Sequence, residues 1–158
     1  RNGHARYCAS ARFIVAPDLL REQEDDLLIT DCDVIMARVI ARMPNVMSEF
    51  DVGLRIRKKL VPWYVAHAAL LVLRQTEGGF AFAETLAATA RVSIEQSTQW
   101  ASDQAALVSV LTFLRRNRPD IQICNIEEYA ELDGALQDAA EGEKAYSHVI
   151  AAAARSGA

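Results

Sequence analysis

The spacing of apolar and polar positions changes several times along the chain, and each change predicts an element. From Phe50 to Arg57 the alternation is strict, with Phe50, Val52, Leu54 and Ile56 on one face and Asp51, Gly53, Arg55 and Arg57 on the other. Successive strand residues point to opposite sides, so this stretch predicts a half-buried strand. Val65 to Leu73 is apolar almost throughout and lacks turn residues, which predicts a more central strand. Leu27 to Thr30, after the acidic break "EQEDD" at Glu22 to Asp26, predicts a short buried strand, and "IQIC" at Ile121 to Cys124 another. Helical spacing appears in Tyr7 to Val15 and again in Pro17 to Gln23, where Pro17 suits the first position of a new helix. A short helix from Met36 to Arg42, stopped by Pro44, is expected next.

Two longer helices follow. Thr76 suits an N-cap, ahead of Phe80, Ala83, Leu86, Ala87 and Ala90 at helical spacing. Leu107, Val108, Leu111 and Leu114 mark one stripe of a helix from about Asp103 to Arg116, which "NRPD" at Asn117 to Asp120 ends. The acidic, alanine-rich tail predicts a weak helix from Glu143 to Arg155. Strands alternate with helices, without an internal repeat or a dividing linker, so one α/β domain over residues 1–158 is expected.

Composition narrows the classes of function. At 158 residues the chain can bury a sizeable core, and with 51% hydrophobic and 24% charged residues a folded body is expected. A net charge of −4 argues against a nucleic-acid partner, since phosphate contacts need concentrated positive surface. No apolar run approaches the roughly 20 residues of a membrane span, and no signal-peptide pattern opens the chain. Cys8, Cys32 and Cys124 are odd in number and widely spaced, which suggests reduced thiols in a cytoplasmic setting and gives no zinc framework. The chain begins at Arg1, directly before a helical segment, and reads as part of something longer.

The candidate chemistry starts at "LLITDCDVIM", where Asp31 and Asp33 stand one residue apart at the end of an apolar run. Residues i and i+2 of an extended strand point the same way, so two carboxylates at this spacing can converge on one ion. Magnesium and manganese prefer oxygen ligands and are often held by one or two carboxylates plus substrate phosphates. A solvated strand end or turn explains the same pair, because aspartate is common there.

The phrases "RYCASARFIVAPDLL", "LLITDCDVIM", "FDVGLR", "PWYVAHAALLVLRQT" and "WASDQAAL" follow in order, and their shared order raises the metal reading. In them the chain, from about Tyr7 to Ile126, resembles bacterial nucleotide-sugar glycosyltransferases of the GT-A type. The resemblance implies a Rossmann-like mixed sheet flanked by helices, with Asp31-Cys32-Asp33 as the Asp-x-Asp metal motif and Mn2+ or Mg2+ as cofactor. Asp31 would then face ribose and metal, and Asp33 would be the more direct ligand. It further implies that Trp100 to Gln104 is the Trp-x-x-Asp-Gln element facing sugar or acceptor, with Asp103 in the catalytic place and Trp100 and Gln104 binding substrate. His148, in "YSHVI", lies where many members place a third metal ligand. The partners implied are a nucleotide-sugar donor and an acceptor hydroxyl.

Each of these residues has a plainer explanation. Asp103 suits a helix N-terminus, where a carboxylate meets unpaired amides and the helix dipole. His148 fits a surface helix, and His67 a satisfied position in an apolar strand. Trp63 after Pro62 can stack on a sugar ring or pack at a rim. The run "RIRKK", Arg55 to Lys59, can meet a diphosphate or simply line a solvated sheet edge. Complete relatives carry a nucleotide-binding half before the Asp-x-Asp strand, whereas 30 residues precede Asp31 here, so the metal and acceptor side of the fold is expected. Ala69 stands in "HAAL" where the resemblance expects a glycine, adding a methyl group to the sugar's approach. A non-catalytic interaction module that self-associates through an exposed edge, or a decayed relative of the enzymes, is the rival reading. A phosphohydrolase with paired aspartates is a third reading.

Overall fold

The strict alternation around Leu54 becomes strand β3 (Val52–Ile56) in the computed structural model, which describes residues 2–31, 35–36, 43–57, 65–96, 102–128 and 136–137. The apolar run after it becomes β4 (Ala66–Leu73), and β1 (Leu27–Thr30) and β5 (Ile123–Asn125) complete a four-stranded sheet. The order is β1-β4-β3-β5, with β4 antiparallel to both neighbours and β5 parallel to β3. β4 thus has a strand on each side, which suits a segment with no polar face. β2 (Ile35–Met36) and β6 (Leu136–Gln137) pair separately as a two-stranded antiparallel ribbon. The class is α/β, with an open mixed sheet.

Helices α1 (Asn2–Glu22), α3 (Glu77–Gln96) and α4 (Ser102–Asn117) cover one face of the sheet. Phe13 and Leu20 of α1, Phe82 and Leu86 of α3, and Leu107 and Leu114 of α4 meet Val52, Leu54, Leu71 and Leu73 in one core. A smaller cluster lies on the other face, where Met47 of the short helix α2 (Met43–Met47) joins Leu70, Val72, Cys124 and Ile126. Gly53 belongs to this second face. A Cβ there would stand 2.6 Å from the Met47 sulfur, so the start of β3 is covered on both sides rather than half-buried.

Four further expectations are corrected. The break before Pro17 does not occur, because α1 runs through it as a single helix. A proline inside a helix costs about 3 kcal/mol, yet Phe13, Ala16 and Leu20 share one stripe with no solvent exposure. Burying a side chain the size of Phe or Leu contributes about 1.5–3 kcal/mol, so continuing the stripe outweighs the lost bond. Pro44 does not stop a helix but sits second in α2, a position whose N–H would have no helical partner anyway. Met36, expected to start a helix, pairs instead with Leu136 in the ribbon. The last expected strand also begins later than its apolar pattern, at Ile123, and gains Asn125. The Asn125 amide extends the pairing, accepting from Ile56 N at 2.9 Å and donating to Ile56 O at 3.1 Å. The tail helix expected from Glu143 to Arg155 lies outside the described residues.

Two aspartates lock the end of the sheet where β4 finishes. Asp51, just before β3, takes the Thr76 hydroxyl at 2.5 Å on one carboxylate oxygen and Gln122 N–H at 2.8 Å on the other. Its backbone carbonyl accepts Arg74 N–H at 3.0 Å. Thr76 is the expected N-cap of α3, accepting Gly79 N–H at 3.1 Å while donating to Asp51. Asp26, from the acidic break, takes Gln75 N–H at 2.9 Å and the Arg74 guanidinium at 3.3 Å. Asp51→Ala removes two acceptors at once and leaves donors stranded, so it is expected to lower unfolding free energy by about 1–2 kcal/mol in urea titration. An unchanged midpoint would show that water replaces the carboxylate without cost.

Candidate functional site

Asp31 follows β1 directly, so the strand's pairing fixes where its carboxylate emerges. β1 runs beside β4 from Leu27 opposite Leu73 to Thr30 opposite Leu70, and Asp31 N–H continues the ladder to Ala69 O at 3.2 Å. β4 is irregular at this point. Leu54 of β3 faces Leu71, but the next residue, Arg55, faces His67. The alternation of β4 slips with it: Ala66, Ala68, Leu71 and Leu73 join the helix-covered core, while Leu70 and Val72 face the other way. The segment Ala68 to Leu70 thus bulges out of register with β3, while Leu70 stays paired to Thr30 and Ala69 O to Asp31 N–H. Bulges of this kind re-aim side chains and are frequent beside active sites. Ala69, where the resemblance expects a glycine, lies in this bulge and is 6% exposed.

α4 begins at the same end of the sheet. Asp103, in its first turn, turns one carboxylate oxygen to Gln104 N–H at 2.8 Å, as suits a helix start. Its second oxygen has another partner. Arg12, on α1, donates from one terminal nitrogen to Asp31 and from the other to Asp103 at 3.3 Å. One guanidinium therefore joins carboxylates that lie 19 and 91 positions from it in the chain. The three side chains are 20% (Arg12), 34% (Asp31) and 14% (Asp103) exposed. In such surroundings the pairing is held by partly desolvated charge rather than by a weak surface contact. The Phe13 ring backs the guanidinium at 4.9 Å from its centroid.

Gln104 adds an orphan. Its Oε1 is sealed from solvent and accepts no hydrogen bond among the described residues. A buried acceptor without a donor costs about 1–3 kcal/mol unless something supplies one. Ser10, directly before Ala11, also carries a buried hydroxyl without a partner among the described residues.

Of the residues singled out from the sequence, the structure brings Asp31, Asp103 and Gln104 to one end of the sheet. Asp33, Trp63, Trp100 and His148 lie outside the described residues. Among the described residues no group of three His, Cys, Asp or Glu side chains stands together as a metal site. His67 sits half-buried on β4 opposite Arg55. Arg12 was the residue missed. Its one available signal is a lone charge between Ala11 and Phe13 in an otherwise apolar stretch. No helix among the described residues is long and apolar enough to cross a membrane. Compared with protein-family models, with curated proteins and with solved structures, the chain matches none.

Proposed function

We propose that this chain carries the metal and acceptor side of a metal-dependent glycosyltransferase of GT-A type, transferring a sugar from a nucleotide-diphosphate sugar to an acceptor hydroxyl. The observation that supports it is the shared guanidinium of Arg12. The first aspartate of the Asp-x-Asp motif and the aspartate of the Trp-x-x-Asp-Gln element, far apart in sequence, meet on one positive charge. The resemblance assigns those two elements to one centre.

The donor set suits the cofactor. Asp31 and Asp103 offer hard oxygen ligands already gathered around a cation, and magnesium or manganese is commonly held by one or two carboxylates plus substrate phosphates. When bound, the ion supplies positive charge against the departing diphosphate. Asp31 holds the ion edge, with Asp33 beside it in the motif. Asp103 accepts hydrogen bonds from hydroxyls of sugar or acceptor, and Gln104 beside it would join only after its side chain turns out of its buried place.

The test is calorimetric titration of manganese into the chain, with and without uridine diphosphate. Asp31→Asn is expected to weaken manganese binding by more than about tenfold, whereas Asp120→Asn, in an exposed turn, leaves it unchanged. Failure of the wild-type chain to bind manganese in either condition would sink the proposal. Retention of binding by Asp31→Asn would move the metal elsewhere.

A further inference from the structure

Arg12 occupies the place where the candidate site would otherwise be most negative. Its two terminal nitrogens engage Asp31 and Asp103, and the Phe13 ring lies against its guanidinium at 4.9 Å. The two carboxylates and the guanidinium together carry one net negative charge. A divalent cation approaching Asp31 meets that reduced charge, and it competes for an oxygen already taken.

We infer that Arg12 makes cation loading at Asp31 depend on a phosphate-bearing ligand, resting on the reading of Asp31 as a cation site. Asp31 exchanges Arg12 for the cation when a diphosphate arrives to receive the released guanidinium. Guanidinium groups match phosphate in a two-pronged geometry, so the exchange leaves no charge unpaired. The carboxylate passes from guanidinium to cation, and the guanidinium passes from carboxylate to phosphate. Without the diphosphate, release would leave a partly buried guanidinium short of one of the carboxylates that hold it. Loading by the cation alone is thereby opposed. Arg12 is a positioning and selecting residue here, not one that touches the reacting bond.

Affinity for the cation alone follows from how often Asp31 is released. If Arg12 holds Asp31 in about nine molecules of ten, the apparent affinity falls about tenfold. Titration of manganese alone, and of manganese with uridine diphosphate, compares the wild-type chain with Arg12→Gln and Arg12→Lys, with circular-dichroism melts confirming that each folds. Arg12→Gln is expected to bind manganese alone about tenfold more tightly than wild type and to lose most of the gain from uridine diphosphate. Arg12→Lys, which keeps the charge, is expected to bind manganese alone as weakly as wild type.

The wild-type chain provides a second reading that does not depend on a variant folding. Side-chain nitrogen NMR should show the Arg12 guanidinium signal unmoved by magnesium alone and shifted by magnesium with uridine diphosphate. Equal manganese affinity in wild type and Arg12→Gln, with Asp31→Asn abolishing binding, would overturn the role of Arg12 and leave the metal site standing. An Arg12 signal that stays put while magnesium and uridine diphosphate bind would do the same. Absence of binding in every variant and condition would overturn the metal reading itself, and this inference with it.

Discussion

Gly79→Ala is expected to destabilise the chain by about 3 kcal/mol or more, a fall in melting temperature of roughly 10 °C at this size. Gly79 lies in the first turn of α3, where a Cβ would stand 2.1 Å from the carbonyl oxygen of Arg74. That oxygen is backbone at the end of β4, and Arg74 is held by Asp51 O and Asp26. It cannot swing aside as the tip of a long side chain can. Gly53 provides the contrast, since its nearest obstacle is the flexible end of Met47 at 2.6 Å. Gly53→Ala should therefore cost less than Gly79→Ala in the same thermal melt. A Gly79→Ala protein melting within about 2 °C of wild type would mean that the strand-to-helix junction can open at little cost.

The same substitution at two phenylalanines should give opposite results. Phe82, on α3, has no solvent exposure and lies in the core between helices and sheet, while Phe113 on α4 is 54% exposed. Truncating a buried phenylalanine loses transfer free energy and leaves a cavity, about 3–5 kcal/mol together. An exposed one changes stability by no more than about 0.5 kcal/mol. Urea unfolding of Phe82→Ala and Phe113→Ala measures both. Comparable losses at the two positions would show that Phe113 is covered in solution, and a small loss at Phe82 would show that the helices repack around the gap.

The sheet and its two long helices were legible because their signals are local. Strict alternation marks β3, an N-cap and a stripe mark α3, and Leu107, Leu111 and Leu114 mark α4. α1 was misread because Pro17 is a strong local breaker, while the burial that overrides it comes from α3 and the sheet. The bulge in β4 was not legible at all. Ala66 to Leu73 is apolar on both faces apart from His67, so a slip of phase leaves no mark in the pattern. At the candidate site, Asp31, Asp103 and Gln104 could be named from motifs. Arg12 could not, since pairing across 19 and 91 positions has no characteristic spacing. Asp26 and Asp51 were hidden for the same reason, their acidic character reading simply as polar punctuation.

Four carboxylates stand at the two ends of one sheet. Asp26 and Asp51 satisfy backbone and side-chain donors where β1 starts and β4 finishes, and Asp31 and Asp103 gather at the other end. Sites well separated and without shared partners contribute to stability almost independently. Substitutions around Asp31 can therefore accumulate while the junction of Asp51, Thr76 and Gly79 keeps the scaffold intact. The architecture leaves the Asp31 end open to evolutionary change and anchors heredity of the fold at the other.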